Sequence, residues 1–478
     1  MLWWTALSEH LHSWIRCQLS LRSARHVFYG ILLGFSLSLT SQSLVAYYRT
    51  QRQKRVKPTF EPRPIELRVD EVLKGVTGLI GNTPLIRINS LSDALGVEIL
   101  GKAEFLNPGG SVKDRVALRM IEDAEHQRLL RPNTGSRIFE GTVGSTGISI
   151  ATIARAKGYE TTIIMPDDVA AEKVQALHAL GAHVERVRPA SIVDKKQYVN
   201  LARDYALKFG EENAELPADS APHPSHPHTL RSFSSSVVVT TTALSDAGTT
   251  DSKELEEYLS KPRGFFADQF ENRSNFDAHF HGTGPEIWRQ TNGRLDAFVS
   301  GAGTGGTIAG VGQYLKSMQK DVIVALCDPD GSGLYNKVQH GVMYDRKESE
   351  GTKRRHQVDT VVEGIGINRL TKNVELALPI ISEAFRITDE EAVAMSRYLV
   401  KHDGLFLGSS SACNLIACIK LVKKMGWKEG QRVATILCDS GTRHYSKFWN
   451  DEYLKSASIS TNPDLVEELL ASPSPHDA

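Results

Sequence analysis

Between residues 98 and 187 the chain alternates short apolar runs with helix-periodic segments: EILGKAEF, VALRMIEDAE, RIFEG, ISIATIARAKG, ETTIIMP, EKVQALHALGA and HVERV. Strand and helix in turn, joined by a few residues, predict parallel β-α units, because a parallel neighbour needs a crossover and a helix is the compact one. The pattern resumes at LDAFVS (295–300), which a GAGTGG turn (301–306) separates from a helix-periodic stretch at 307–315, and again at VIVALC and VATIL. The expected fold class is therefore α/β with parallel sheets. In such sheets ligands collect beyond the carboxyl ends of the strands, which would put a site between two α/β domains.

Residues 107–115, NPGGSVKDR, set Lys113 just after two glycines at the expected opening of a helix. Gly109 and Gly110 let the backbone approach a ligand closely, Ser111 suits a helix N-cap, and Asp114 falls in the first turn. A lysine held there can form a Schiff base with an aldehyde cofactor, although a solvated capping lysine also fits these nine residues taken alone. The GAGTGG turn adds an anion site, since backbone N–H groups and the positive end of the following helix face the bound group. Gly301, Gly303 and Gly306 also fit the dinucleotide pattern G-x-G-x-x-G. Asp321, however, precedes the strand-like VIVALC instead of ending it, and a nucleotide site leaves Lys113 without a role.

Six segments carry a likeness in their order and spacing: NPGGSVKDR, GTVGSTGIS (141–149), TGPEIW (283–288), GAGTGGT (301–307), EGIG (363–366) and CDSGTR (438–443). Over roughly residues 72–450 they resemble the fold-type II pyridoxal-phosphate enzymes of the cysteine synthase and cystathionine beta-synthase family, and within it the membrane-anchored fungal branch of cysteine synthase 2-like proteins. The resemblance implies a two-domain fold like the tryptophan synthase beta subunit, pyridoxal 5'-phosphate as cofactor and a homodimer. It also implies beta-replacement on O-acetylserine by sulfide, giving cysteine and acetate.

Residue by residue, Lys113 is implied as the Schiff-base lysine and as acid/base at the substrate α-carbon. Gly303, Thr304, Gly305, Gly306 and Thr307 are implied as the phosphate cradle. Ser440 is implied as the hydroxyl on the pyridine nitrogen, a neutral partner that favours beta-elimination; a carboxylate from Asp439 aimed at the ring would reverse that argument. Thr142, Gly144 and Thr146, with Gln269, would hold the substrate carboxylate, and Gly364 with Gly366 would belong to a loop closing near the ring. Two positions depart from the family. Ser145 stands where an asparagine usually reaches the cofactor's 3-hydroxyl, so that contact needs a water or stays unmade. Val143 replaces a serine and removes one carboxylate donor.

Cystathionine formation, cysteine desulfhydration and serine or threonine dehydration share the early chemistry and stay open as alternatives. A membrane-tethered scaffold that only binds the cofactor is the non-enzyme alternative, and retention of Lys113, the glycine turn and Ser440 speaks against it. Lys plus Arg and Asp plus Glu balance at 56 each, so no charge excess argues for nucleic acid. Cys17, Cys327, Cys413, Cys418 and Cys438 show no CxxC spacing, which suits a reducing compartment and gives no zinc site; Cys413 and Cys418 read as core fillers in NLIACIK.

Residues 26–48 form a stretch of 23 without Asp, Glu, Lys or Arg, long enough to span a bilayer with some tilt. It lies too deep and runs too long for a cleaved secretory signal. With basic flanks on both sides it reads as a single-pass anchor, in keeping with a mitochondrial outer-membrane location and a catalytic region facing the cytosol, which the resemblance also implies; a mitochondrial presequence is the rival. A linker follows to residue 65, and the catalytic region is expected over 66–450, its smaller domain at roughly 103–211. The Pro-, Ser-, Thr- and His-rich segment 212–260 reads as a disordered insertion, with His223, His226 and His228 in a polar tract. Residues 344–358 read as a charged surface loop, and 451–478 as a partly helical mobile tail.

Overall fold

The computed structural model describes Tyr29 and residues 72–209, 260–345 and 360–473. The chain divides into two compact units, Met1–Pro62 and Arg63–Ala478, and apart from Tyr29 every described residue belongs to the second. Apart from Tyr29 the expected anchor at 26–48, all but the last residue of the insertion 212–260, and most of the loop 344–358 lie outside the described residues. Among the described residues no helix is long and apolar enough to cross a membrane.

Strand and helix alternate as the apolar runs predict. The first half runs β1 (Leu85–Arg87), α1 (Asn89–Leu95), β2 (Glu98–Ala103), α2 (Lys113–His126), β3 (Arg137–Gly141), α3 (Ser145–Lys157), β4 (Glu160–Pro166), α4 (Ala171–Ala179), β5 (His183–Val187) and α5 (Tyr198–Lys208). After the insertion come β6 (Gly264–Phe266), α6 (Arg273–Ala278), α7 (Gly284–Gln290), β7 (Ala297–Gly301), α8 (Gly306–Met318), β8 (Ile323–Pro329), α9 (Leu334–His340) and α10 (Lys372–Ala377). The chain ends with β9 (Glu383–Ile387), α11 (Asp389–Asp403), α12 (Ser409–Met425), β10 (Arg432–Leu437), α13 (Asp451–Ser456) and α14 (Asp464–Ala471).

Among the described residues these strands form two sheets, in the orders β1-β2-β10-β7-β8-β9 and β5-β4-β3-β6. Every pair is parallel except β1 with β2, so the fold is α/β with parallel sheets. The smaller sheet takes β6 from beyond the insertion, pairing Arg137 with Gly264 and Phe139 with Phe266. That sheet therefore extends past the expected boundary near 211.

Helix faces follow apolar spacing. In α2, Val116, Ala117, Met120, Ile121 and Ala124 are buried on one stripe with Ile138, Ile150 and Phe265. In α12, which packs on the larger sheet and on α11, apolar residues are buried all round, Cys413 and Cys418 among them. Thr388 and Glu391 close a reciprocal capping box at the start of α11, pairing two backbone N–H groups that helix formation leaves over. The tail expected over 451–478 as partly helical and mobile forms α13 and α14 over its described residues 451–473, and it is docked there, with Leu454 and Val466 fully buried in the core that holds α11 and α12. Apolar residues three and four apart in DLVEELLA give α14 a face that docking removes from water.

A buried charge network anchors the start of α2. Arg115 donates to Glu104 at 2.7 Å and to Glu286 at 2.6 Å, and Lys102, itself fully buried, reaches Glu286 at 2.7 Å. Burial alone would push Glu286 up, but Arg115 and Lys102 hold its carboxyl well below the usual range. Removing one member strands buried charge, at a cost of about 3–5 kcal/mol. Arg115→Met is therefore expected to lower the thermal midpoint of the purified catalytic region by several degrees, measured by calorimetry or circular dichroism; a midpoint within a degree of wild type would show that the network does not hold the fold.

Candidate active site

The strand ends of both sheets open on one cavity of about 480 Å³. Thr142 and Val143 follow β3, Asp168 and Val169 follow β4, Gly303 and Thr304 follow β7, and Cys438 and Asp439 follow β10; all line it. Lys113, the first residue of α2, also lines it. Its backbone N–H donates to Ser111 Oγ at 3.3 Å. Burial lowers the Lys113 pKa, partly countered by the Cys438 thiol and the Asp439 carboxylate, so the amine loses its proton more readily than a surface lysine. Asp114 beside it accepts from Gly109 N at 2.5 Å and from the Ser149 hydroxyl, which stitches the glycine turn to α2.

The turn between β7 and α8 is an open nest of backbone. A Cβ on Gly303 would come within 2.4 Å of the Gly364 carbonyl, and one on Gly306 within 2.0 Å of Asn275 Oδ1, while Gly305 holds a φ of 90°. Only glycine allows this close approach. Asn275 donates to Thr304 Oγ1 at 2.9 Å, and Thr307 Oγ1 lies 3.2 Å from His279 Nε2, whose Nδ1 lies 2.9 Å from Thr283 Oγ1. Burial, with Lys113 and Arg115 nearby, drives the His279 pKa far down, so the ring behind the turn is neutral. A phosphate dianion fits such a turn: N–H groups at a helix start and two held hydroxyls.

Across the cavity, Thr146 donates to Gln269 Oε1 at 2.6 Å, and both side chains are buried. The structure brings Lys113, Thr142, Ser145, Thr146, Gln269, Gly303, Thr304, Gly305, Thr307, Gly364 and Gly366 to the cavity wall. Gly144 and Gly306 lie within the same two turns without lining it. Ser440 is not brought to the wall either: its hydroxyl caps the next turn, accepting from Thr442 N at 3.3 Å. Instead Ser410, at the start of α12 and 5% exposed, lines the cavity beside Cys438. The run GSSSA follows the short apolar LFL and opens a helix, and that was the available signal. Asp439 also faces the cavity, with Oδ2 3.0 Å from His444 Nε2. Burial would raise its pKa, yet His444 and Arg443 hold it low, so it is a carboxylate.

Comparison with known proteins identifies the class. Residues 76–221 and 214–439 match the family described as "Pyridoxal-phosphate dependent enzyme". "Cysteine synthase 2" of Schizosaccharomyces pombe is 51% identical over 390 residues, covering 82% of this chain and 87% of that protein. "Putative mitochondrial cysteine synthase" of Saccharomyces cerevisiae is 44% identical over 416 residues, covering 87% and 92%. Among solved structures, an O-acetylserine dependent cystathionine beta-synthase from Helicobacter pylori superposes with a TM-score of 0.58 at 25% identity, over 79% of this chain and 98% of that one. The chain belongs to the fold-type II pyridoxal-phosphate dependent enzymes, and within them to the cysteine synthase family.

Asp114 gives the site a pH signature. Its pKa is raised from 3.8 to about 6, by burial first, against the pull of Ser149, Gly109 and Arg443. The folded state holds the proton more tightly than the unfolded chain, so this contribution to stability is complete below pH 3.8 and is lost as pH rises through about 6. In Asp114→Asn the fall of the thermal midpoint between pH 5 and pH 7 should shrink. An unchanged fall would mean that Asp114 does not titrate there.

Proposed function

We propose that this chain is a pyridoxal-phosphate-dependent cysteine synthase acting on O-acetylserine and sulfide, with Lys113 as the lysine that carries the cofactor and moves the α-proton. The supporting observation is Lys113, desolvated at the opening of α2, on the same cavity wall as the glycine nest after β7. The cofactor supplies, when bound, an electron sink at the substrate α-carbon. The residues do the rest. The 303–307 turn binds the phosphate through N–H groups and the Thr304 and Thr307 hydroxyls. Ser410, in place of Ser440, offers a neutral hydroxyl to the ring nitrogen. Ser145 would be the residue nearest the ring's 3-hydroxyl, reaching it through a water or not at all; its own hydroxyl lies 3.4 Å from Arg443 Nη1. Thr142, Gly144, Thr146 and Gln269 orient the amino-acid substrate. Lys113, with its lowered pKa, takes the proton from the α-carbon and can return it. Val143, Val169, Ile192, Phe270 and Ile365 give the cavity apolar walls, which keep water from the reacting carbon. At the β-carbon the bond to the acetate oxygen breaks and a bond to sulfur forms.

The 26–48 segment is read as a single-pass anchor, supported by its 23 residues without a charged side chain. A mitochondrial location is supported by the name of the Saccharomyces cerevisiae relative, and its finer form is the outer membrane with the catalytic region toward the cytosol. The assembly is proposed as a homodimer. The 66–450 catalytic region and the 212–260 insertion remain the proposed division of the rest.

Lys113→Ala is expected to lower cysteine formation from O-acetylserine and sulfide by at least about 10²–10⁴-fold. Borohydride reduction of the wild-type protein loaded with pyridoxal phosphate should add the cofactor's mass to the peptide containing Lys113. A mass addition elsewhere, or cysteine synthesis undiminished in the variant, would overturn the assignment. For the anchor, the full chain should stay with membranes after alkaline extraction while a chain starting at residue 66 is released.

A further inference from the structure

Lys173 stands on the cavity wall with no role in the account so far. It lies on α4, its side chain is only 3% exposed, and its ammonium pairs with Glu363 of the 363–366 loop. Its stem crosses the loop after β3: a Cβ on Gly144, whose φ is 141°, would come within 2.5 Å of Lys173 Cδ. That loop offers a substrate carboxylate only neutral donors, the hydroxyls and N–H groups of 142–146, and Val143 adds an apolar side chain. The helix start at Ser145 can hold an anion through those donors, and a cation beside the loop would add a charge-assisted contact of roughly twice the strength. Arg369 is committed to Glu271 at 2.9 Å and lies over the Phe270 ring at 4.7 Å. Lys447 donates to the Asp168 carbonyl at 2.9 Å, and Lys113 is taken by the chemistry. Lys173 is thus the cavity cation whose stem already touches the loop.

We propose that Lys173 is a substrate-positioning residue that receives the α-carboxylate of the amino-acid substrate, exchanging Glu363 for it on binding. Glu363 is not stranded by the exchange, because Lys447 Nζ lies 3.7 Å and His444 Nδ1 3.9 Å from its carboxylate. Nor does α4 come away, since Glu172 accepts from Ser446 N at 3.0 Å and from the Ser446 hydroxyl at 3.1 Å. Glu363 therefore competes with substrate for one cation. The inference rests on the cysteine synthase reading only for which amino acid is turned over; the carboxylate exchange applies to any α-amino acid in the cavity.

The test uses full-length protein loaded with pyridoxal phosphate, whose visible absorption is titrated with L-serine, L-cysteine, O-acetylserine and O-acetylserine methyl ester. Lys173→Met should raise the half-saturating concentration of the three free acids by about tenfold or more, leave the methyl ester within about threefold, and change KM far more than kcat. Lys173→Arg should restore most of the affinity. Glu363→Gln should move the acids the opposite way, to equal or tighter binding. Equal weakening in Lys173→Met and Glu363→Gln, for acids and ester alike, would reduce the pair to a structural strap and overturn the proposal. If Lys173→Met fails to fold or to hold the cofactor, Glu363→Gln decides: tighter or equal binding of the acids supports the exchange, weaker binding overturns it. If the wild type does not turn over O-acetylserine, the cysteine synthase reading fails, and the serine and cysteine titrations still test Lys173.

Discussion

Arg115 is the contact on which the rest of the site depends. It is buried between Glu104, in the turn after β2, and Glu286 on α7, with Lys102 behind and the Thr83 hydroxyl 3.2 Å from Nη2. Such a cluster is stable only when every charge is met, and here each has a partner at hydrogen-bond distance. Lys113 comes two residues earlier on the same helix, about 200° around its axis. Fixing Arg115 in the protein interior therefore turns Lys113 the other way, toward the cavity. Asn107 extends the hold to the preceding turn, donating to Glu104 at 2.8 Å and accepting from Gly81 N at 2.8 Å. The proposed Schiff-base role of Lys113 needs this rigidity because a flexible four-carbon stem has no geometry of its own.

The same burial that orients the lysine tunes it. Desolvation lowers the Lys113 pKa, and the neighbours that oppose this are a thiol and a carboxylate on the turn after β10. The Cys438 thiol is itself pushed up to about 12 by burial, so it stays neutral and adds little charge. Asp439 is the carboxylate that counts, and its Oδ2 is held by His444. Behind the glycine nest the neutral His279 adds no second positive charge beside Lys113. The anion-binding power of the nest therefore comes from backbone dipoles and hydroxyls, whose strength does not vary with pH near neutrality.

What was legible in the sequence was whatever is local. Strands RIFEG and ETTIIMP, the helix spacing in VALRMIEDAE and the glycine turns at 109–110 and 301–306 each signal their structure within a dozen residues, and the structure has all of them. Ser440 shows the limit. CDSG and GSSSA both place serine after a short apolar run, and only the three-dimensional crossing of β10 with α12 decides that Ser410 is on the cavity wall. Lys173 and Glu363 are 190 residues apart, and β6 reaches β3 from across the insertion. No periodicity encodes pairings of that range, since they follow from how two sheets close around one cavity.

The departures at Val143 and Ser145 take on a different weight once the surroundings are known. The Arg443 guanidinium stands 3.4 Å from the Ser145 hydroxyl and within 3.0 Å of where a Cβ on Gly110 would be. Arg443 thereby ties the loop after β3 to the glycine turn before Lys113, two segments that no backbone hydrogen bond joins in the described residues. Val143 meanwhile packs against the cluster that includes Ile148, Ile163 and Val169 and lines the cavity as part of its apolar wall. The loop gave up neutral donors, yet it lies between Arg443 on one side and the stem of Lys173 on the other. For the carboxylate role proposed for this loop, nearby fixed positive charge can offset missing hydroxyl donors, because charge-assisted contacts are roughly twice as strong as neutral ones.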